Sequence, residues 1–206
     1  MIKVKICGIT NLEDALMASY LGADALGFIF SPKSPRSLAP AAAEKIIAGL
    51  DPLVTKVGVF LDQDQAEVLE IASRLKLDVV QFHGKEKAAY CNFFTKRFKV
   101  IKVFFPEDRP YQKTIRSYKV DAFMFDIKYE QKIKGSNRLS GLDLDEIASL
   151  IKSGKRVVIS GGLNSVNVGQ IKKFKPYCLD AASGLEKLVG KKDGQLVKEF
   201  IRKVKS

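Results

Sequence analysis

The chain contains no tryptophan, one histidine and three cysteines among its 206 residues. The cysteines Cys7, Cys91 and Cys178 are odd in number and lie at unrelated spacings, so the sequence predicts neither a disulfide framework nor a zinc site. Thiols without partners are typical of a reducing compartment, and we expect a cytoplasmic protein. A single histidine also disfavours catalytic metal sites that are built from several histidines.

Long apolar runs are absent as well. None approaches the ~20 residues that cross a bilayer, and Met1 leads directly into a strand-like segment, so we expect neither a membrane span nor a signal peptide. Hydrophobic residues make up 46% of the chain and charged residues 28%, which is typical of a globular protein. The length suits one α/β domain with a sizeable core, and we expect residues 1–206 to form a single domain.

The net charge is +12, which favours anionic partners such as phosphates, carboxylates or nucleic acid. The basic residues are spread along the chain, however, and the mild cluster at 198–205 falls on the polar face of a helical pattern. No basic run is interleaved with aromatic residues, as it is in proteins that bind single strands. We therefore expect a small anionic partner and no nucleic acid. A basic nucleic-acid-binding module is the alternative from another class.

Short runs of β-branched and aromatic residues recur along the chain and predict eight strands: 4–7, 25–30, 56–60, 79–82, 100–105, 122–127, 156–160 and 178–181. The runs are almost continuously apolar, which indicates strands buried on both faces. Helical patterns separate them, and this repeated order predicts parallel pairing with crossover helices. Eight such units in a chain of this length predict a compact (β/α)8 TIM barrel. A doubly wound open sheet is the alternative.

The connections between these elements are uneven. Asp143, with Glu146 three residues later, predicts the start of a helix. Segment 108–118 contains a proline and few regular apolar positions, so we expect it to be short or irregular. The longest connections, 31–39 and 128–142, both follow a strand. In a barrel such loops lie at the catalytic end, where a substrate would bind.

Glycines follow the last two predicted strands. Gly161-Gly162 precedes a segment that starts helically near Asn164 or Ser165, and Ser183-Gly184 precedes a short helix-like stretch. Glycine lets backbone N–H groups approach an anion closely, and many barrel enzymes build their phosphate site from these two loops. Each pair would serve equally as a tight turn, but two pairs in the two expected places favour phosphate binding.

Two strand ends carry candidate acid–base groups. Cys7 is followed by a glycine at the end of strand 1, which favours a partly accessible thiol over a small core residue. A thiol becomes a base only when nearby positive charge lowers its pKa, and strand alternation places Lys5 on the same side, inside the barrel. Asp126 is the only charged residue in the run AFMFDI, where partial desolvation suits a carboxyl group to donating a proton.

Two further polar residues are candidates for substrate binding. His83 ends strand 4, although a lone histidine at such a place is more often structural than functional. Arg36 lies in the loop SPKSPRS, and the prolines stiffen the loop that carries it. A guanidinium held in this way is well suited to gripping a carboxylate.

Taken together, these segments resemble the phosphoribosylanthranilate isomerase family. The similar stretches follow the family's order over nearly the whole chain: VKICGIT, GADALGFIF, SPR, VGVF, VQFHG, VIKV, FDI, ISGGLN and ASGLE. The combination of KICGIT with a late GGL and SG is quite specific. The resemblance implies a (β/α)8 barrel that rearranges N-(5-phosphoribosyl)anthranilate in tryptophan biosynthesis, with no metal and no cofactor. Monomer and homodimer both stay open.

The resemblance also implies roles for individual residues. Cys7 would be the general base and Asp126 the general acid of an Amadori rearrangement. Arg36 matches the family arginine near the anthranilate carboxylate. The backbone phosphate cradle corresponds to Gly161, Gly162, Ser183 and Gly184.

The loop 128–142 departs from the family pattern, because the stretch KIKGSNRLSGLDL at 132–144, which ends it, lacks the tight glycine cluster. This puts substrate closure and turnover in doubt, but not the acid–base pair. Another sugar-phosphate barrel enzyme, either an epimerase or an enzyme like indole-glycerol-phosphate synthase, is the alternative. Lys102, inside strand 5, keeps the lysine-based version of that alternative open.

Overall fold

The computed structural model describes residues 1–127 and 141–206. The eight predicted strands are all present: β1 Lys3–Cys7, β2 Ala25–Ile29, β3 Thr55–Phe60, β4 Val79–Phe82, β5 Lys99–Phe104, β6 Ala122–Phe125, β7 Val157–Ile159 and β8 Cys178–Ala181. They pair in parallel in sequence order. Strand β8 also pairs with β1, with Lys5 opposite Asp180, so the sheet closes on itself. The predicted barrel is confirmed, and the open sheet is excluded.

Eight α-helices lie in the described residues: α1 Leu12–Tyr20, α2 Pro40–Ala48, α3 Gln65–Arg74, α4 Ala88–Phe94, α5 Tyr111–Thr114, α6 Leu144–Lys152, α7 Val168–Lys172 and α8 Gly194–Lys205. The predicted start of α6 is confirmed, because the Asp143 carboxylate accepts the Glu146 N–H at 3.0 Å. The irregular fifth segment is also confirmed. It consists of two 3₁₀ turns, Pro106–Asp108 and Ile115–Ser117, around the single turn of α5.

Two local predictions differ from the structure. Helix α7 begins only at Val168, because the Asn164 side chain accepts the N–H groups of Val166 and Asn167 and forms a turn there. After Ser183–Leu185, a 3₁₀ turn, the chain forms an antiparallel hairpin rather than a helix, with strands β9 Glu186–Leu188 and β10 Lys191–Lys192.

Alternation along the strands divides the side chains between two cores. On β1, Val4 and Ile6 join the large apolar core beneath the helices. Inside the barrel a smaller apolar cluster forms around Val103, Met124 and Val158. The interior is completed by polar side chains that are almost fully buried, Lys5, Gln81, Lys102 and Asp180. The barrel interior therefore changes from apolar to charged, and the charges need partners.

Three aspartates stand immediately before even-numbered strands and form one repeated contact. Each carboxylate accepts a backbone N–H from the start of the preceding strand and pairs with a lysine there. The backbone contacts are Asp24 with Val4 at 2.8 Å, Asp78 with Lys56 at 2.8 Å and Asp121 with Val100 at 2.9 Å. The paired lysines are Lys3, Lys56 and Lys99. These aspartate clamps fix the starting ends of neighbouring strands.

The loop after β2 is long, as predicted, and reaches α2 at Pro40. The loop after β6 lies mostly outside the described residues, and so do Gly135, Ser136 and Arg138. Within the described ranges, no helix combines the length and apolar character needed to cross a membrane.

Candidate functional site

A cavity of about 790 Å³ opens at the carboxyl ends of the barrel strands. Most of the predicted site residues line it: Cys7, Arg36, His83, Asp126, Gly162 and Ser183. They come from five strand ends and the loop after β2, and barrel closure brings them together. Gly161 and Gly184 belong to the same two loops as Gly162 and Ser183.

Cys7 lies beside a buried charge pair. The Lys5 Nζ atom is 2.8 Å from the Asp180 carboxylate, and the Ser160 hydroxyl lies 3.1 Å from the other Asp180 oxygen. Gly27 pairs with Cys7 across the sheet. A Cβ atom on Gly27 would lie 2.8 Å from Cys7 Sγ and 3.1 Å from Lys5 Nζ. The Cys7 thiol and the Lys5 ammonium therefore both lie next to Gly27, which has no side chain to separate them. The predicted placement of Lys5 inside the barrel is confirmed.

The electrostatic surroundings of Cys7 favour the thiol form. Burial, the largest effect, raises the pKa of Cys7, and Asp180 raises it further. Lys5 and, more weakly, Lys192 lower it. The net pKa lies above the ordinary value for a cysteine, so formation of a thiolate at Cys7 depends on the positive groups around it.

Asp126 and His83 approach each other across the ends of β6 and β4. Asp126 is 3% exposed, and one carboxylate oxygen accepts the Ile127 N–H at 2.6 Å. The other oxygen lies 3.5 Å from His83 Nε2. The Gln81 side-chain nitrogen lies 3.2 Å from His83 Nδ1. When Nδ1 accepts from Gln81, the ring proton lies on Nε2 and points toward Asp126.

Arg36 is buried and grips a carboxylate of the protein itself. Its Nε and Nη2 atoms donate to the two Glu186 oxygens at 2.7 and 2.6 Å. Lys192 Nζ lies 2.9 Å from the same carboxylate. Burial pushes the pKa of Glu186 upward, but Arg36 and Lys192 outweigh it and hold the pKa below its usual value. The hairpin that carries Glu186 and Lys192 therefore fixes the Arg36 side chain, whose stem lies so close to Gly8 that a Cβ atom there would collide with Arg36 Cδ.

The glycine loops after β7 and β8 pack against each other. Gly161 and Gly162 have φ values of +106° and +76°, which side chains rarely adopt. A Cβ atom on Gly184 would collide with the Leu163 carbonyl oxygen. Because α7 starts only at Val168, the segment directly after Gly162 is a loop and not the first turn of a helix.

Lys102, the residue on which the lysine-based alternative depends, binds the loop after β4. Its ammonium donates to the Gly84 carbonyl at 2.6 Å and pairs with Glu86 at 2.9 Å. This pairing supports the turn that presents His83. In the two described ranges, no group of three His, Cys, Asp or Glu side chains is placed to hold a metal ion.

Sequence reasoning missed the partners that hold the predicted residues. Asp180, Glu186 and Lys192 were not singled out, although each is a buried charge. For Asp180 a signal was present, because it is a charge inside the apolar strand CLDA. For Glu186 and Lys192 the sequence carries no comparable signal, since a charged hairpin is usually exposed.

The closed parallel barrel, with a thiol, a carboxylate and glycine loops around one cavity at its carboxyl end, is that of a (β/α)8-barrel enzyme. The model of the N-(5'-phosphoribosyl)anthranilate isomerase family matches residues 4–203. The chain belongs to this family.

Individual relatives agree with this assignment. The N-(5'-phosphoribosyl)anthranilate isomerase of Geobacter sulfurreducens is 42% identical over 207 residues, covering 100% of this chain and 99% of the relative. A structure described as mutually generated monomers of the dimeric enzyme from Thermotoga maritima is 36% identical, with a TM-score of 0.85 and coverage of 100% and 99%. Another, in complex with reduced 1-(o-carboxyphenylamino)-1-deoxyribulose 5-phosphate, is 36% identical with a TM-score of 0.86 and the same coverage.

Proposed function

We propose that the chain converts N-(5-phosphoribosyl)anthranilate to 1-(2-carboxyphenylamino)-1-deoxyribulose 5-phosphate in tryptophan biosynthesis. Family membership supports this proposal, together with a relative whose structure holds a reduced form of that product. The observation that carries it is the convergence of Cys7 and Asp126 on one cavity of about 790 Å³. That volume suits a substrate of this size.

The rearrangement needs an acid and a base in sequence. Asp126, in its protonated form, gives its proton to the ribose ring oxygen as the bond from that oxygen to C1 breaks, and the amine nitrogen forms a Schiff base with C1. Cys7, as thiolate, then takes the proton from C2, and the electrons move through C1 to nitrogen to give an enolamine. Proton return to C1 and loss of the hydroxyl proton at C2 produce the ketone.

Other residues bind the two anionic ends of the substrate. Arg36, held by Glu186, is suited to the anthranilate carboxylate because its guanidinium is fixed at the cavity wall. The phosphate binds to N–H groups of the loops at Gly161-Gly162 and Ser183-Gly184. His83, 3.5 Å from Asp126, faces the reacting end of the sugar rather than the phosphate.

The proposal is tested by mixing the purified chain with freshly generated phosphoribosylanthranilate and following the loss of anthranilate fluorescence. Cys7→Ala and Asp126→Ala are each expected to abolish turnover and leave the fold intact. Cys178→Ala and Asp121→Ala are matched controls, because Cys178 is another cysteine of the barrel interior and Asp121 stands at the opposite end of β6. Near wild-type rates in either test variant would refute the assigned roles. An inactive wild-type chain would point to a different sugar phosphate.

The proposed partner is therefore a small phosphorylated molecule, with no nucleic acid and no membrane involved. The chain works as a monomer or as a homodimer, and the Thermotoga maritima relative is described as dimeric. Sedimentation at several protein concentrations distinguishes the two forms. Retention on DNA or RNA that weakens steeply with salt would contradict the absence of nucleic acid.

A further inference from the structure

We propose that Lys5 is a positioning residue for the reaction: its ammonium stabilises the thiolate of Cys7, and Asp180 competes with Cys7 for the same ammonium. The proposal rests on the proposed role of Cys7 as base. It adds the source of the positive charge that this role requires, and it assigns Asp180 the role of restraining the thiol.

The first support is geometric. Lys5 and Cys7 stand two positions apart on β1, so both point into the barrel. The space above Gly27 is filled from both sides, since a Cβ there would meet Cys7 Sγ at 2.8 Å and Lys5 Nζ at 3.1 Å. A lysine side chain ending at this position is within contact range of the thiol. Any residue other than glycine at position 27 would separate or displace the two groups.

The second support is the fixed placement of Lys5. Its side chain is 2% exposed, and the Asp180 carboxylate, 4% exposed, lies 2.8 Å from Nζ. Burial lowers the pKa of Lys5, but Asp180 and Cys7 outweigh it, so the pKa is raised and the ammonium keeps its charge. Ser160 holds the second Asp180 oxygen at 3.1 Å. The ammonium therefore keeps its positive charge between the Asp180 carboxylate and the Cys7 thiol.

The other charged side chains around Cys7 leave an excess positive charge that a thiolate would balance. On the hairpin, Lys192 is close enough to lower the pKa of Cys7 weakly, and it is bound by Glu186, which also binds Arg36. With Lys5 and Asp180, this group contains three cations and two carboxylates. A thiolate at Cys7 brings the group to neutrality. Asp126 lines the same cavity from β6. It is the proposed acid of the reaction, and the Cys7 thiolate is the proposed base.

Removal of the Lys5 charge and removal of the Asp180 charge should shift the pKa of Cys7 in opposite directions. Without the Lys5 ammonium, the thiolate loses its strongest cationic neighbour but keeps the Asp180 carboxylate, so its formation needs a higher pH. Without the Asp180 charge, Lys5 is left to Cys7 alone and the thiolate forms at lower pH. A nearby opposite charge typically moves a titration by about 1 to 3 pH units. A role for Lys5 in packing alone predicts no such pair of opposite shifts.

The experiment measures the rate of Cys7 alkylation by iodoacetamide as a function of pH, with peptide mass spectrometry to identify the modified cysteine. We expect the midpoint of Lys5→Met to rise by about 1 unit or more and that of Asp180→Asn to fall. The limb of the pH–rate profile that reports the ionisation of Cys7 should move in the same directions. Lys3→Met is the matched control, because Lys3 lies on the same strand and its side chain is 54% exposed.

The double variant Lys5→Met/Asp180→Asn guards against misfolding, because it removes both buried charges and leaves none unpaired. Its midpoint should lie between those of the two single variants. Midpoints that stay unchanged, or that move in the same direction in both single variants, would overturn the proposal. Alkylation does not depend on turnover, so opposite shifts in a chain that fails to convert phosphoribosylanthranilate would refute the proposed function alone.

Discussion

Arg36 and Glu186 lie 150 residues apart in the chain and are joined by two parallel hydrogen bonds, at 2.7 and 2.6 Å. This contact ties the loop after β2 to the hairpin after β8. Both side chains are almost fully buried, so the pair is shielded from solvent. The guanidinium that is proposed to receive the substrate carboxylate is thus held in place before substrate arrives.

Glu186→Gln should weaken substrate binding more than chemistry. The variant keeps one acceptor for Arg36 but loses the charge, so the guanidinium is less firmly oriented. We expect KM to rise about tenfold, equivalent to about 1.4 kcal/mol of binding, with a smaller change in kcat. Steady-state kinetics measures both. Lys187→Gln, at the exposed neighbouring position, is the control and should leave both constants unchanged. A fall in kcat with constant KM would contradict this prediction.

Gly184→Ala should disturb the proposed phosphate-binding loops. The new methyl group meets the Leu163 carbonyl, so the loop after β8 must move away from the loop after β7. We expect weaker competitive inhibition by inorganic phosphate together with a higher KM. Gly169→Ala in α7 is the control, because nothing lies within 4 Å of its added methyl group and alanine favours helix. Unchanged inhibition by phosphate in Gly184→Ala would argue against the phosphate site.

Stability should fall at alkaline pH because of buried thiols. Burial raises the pKa of Cys91 to about 12, from a usual value of 9.0. Between these values the unfolded chain has lost the proton and the native chain has kept it. The stabilisation is therefore complete below pH 9 and is lost as the pH rises toward 12.

Urea unfolding at neutral pH and midway through this window checks the prediction. Cys91→Ala is the comparison, because it removes the titrating group. The variant should be less stable at neutral pH, since it leaves a small cavity, but should lose less stability on going to alkaline pH. Equal losses in the two proteins would show that Cys91 does not contribute to the pH dependence.

Asp24→Ala should lower stability without affecting catalysis. Its carboxylate accepts the Val4 N–H at 2.8 Å and pairs with Lys3 and Lys205. Loss of these contacts is expected to cost about 1–3 kcal/mol of unfolding free energy. The kcat and KM of the folded variant should stay at wild-type values, because Asp24 stands at the end of the barrel away from Cys7. A selective loss of activity with normal stability would contradict this.

The barrel was predictable because its strands are short apolar runs in a regular order. Buried parallel strands need little beyond that pattern, and the Asp143 cap marked α6 correctly. The hairpin at 186–192 was not predictable in the same way. Its place is set by contacts distant in sequence, such as the Lys192 N–H bound by Asp14, 178 residues away. Such contacts cannot be predicted from the secondary-structure propensities of neighbouring residues.

Some residues of the candidate site could likewise be predicted from the sequence, and others could not. Cys7, His83 and Asp126 could be singled out because polar groups at strand ends interrupt apolar runs. Their placement around one cavity agrees with that reasoning, while their roles stay predictions. The charged partners could not be paired from sequence, because Lys5 meets Asp180 only when β8 closes against β1, across 175 residues. Closure of a barrel is a global property, so the electrostatics it creates are visible only in three dimensions.

The aspartate clamps have a consequence for how this protein can change over time. Asp24, Asp78 and Asp121 set the strand positions from one end of the barrel, and the proposed acid–base pair lies at the other end. The contacts that fix the barrel and the residues that line the cavity therefore lie at opposite ends of the same strands. A lineage can exchange residues around the cavity and acquire a new substrate while descendants keep the same scaffold.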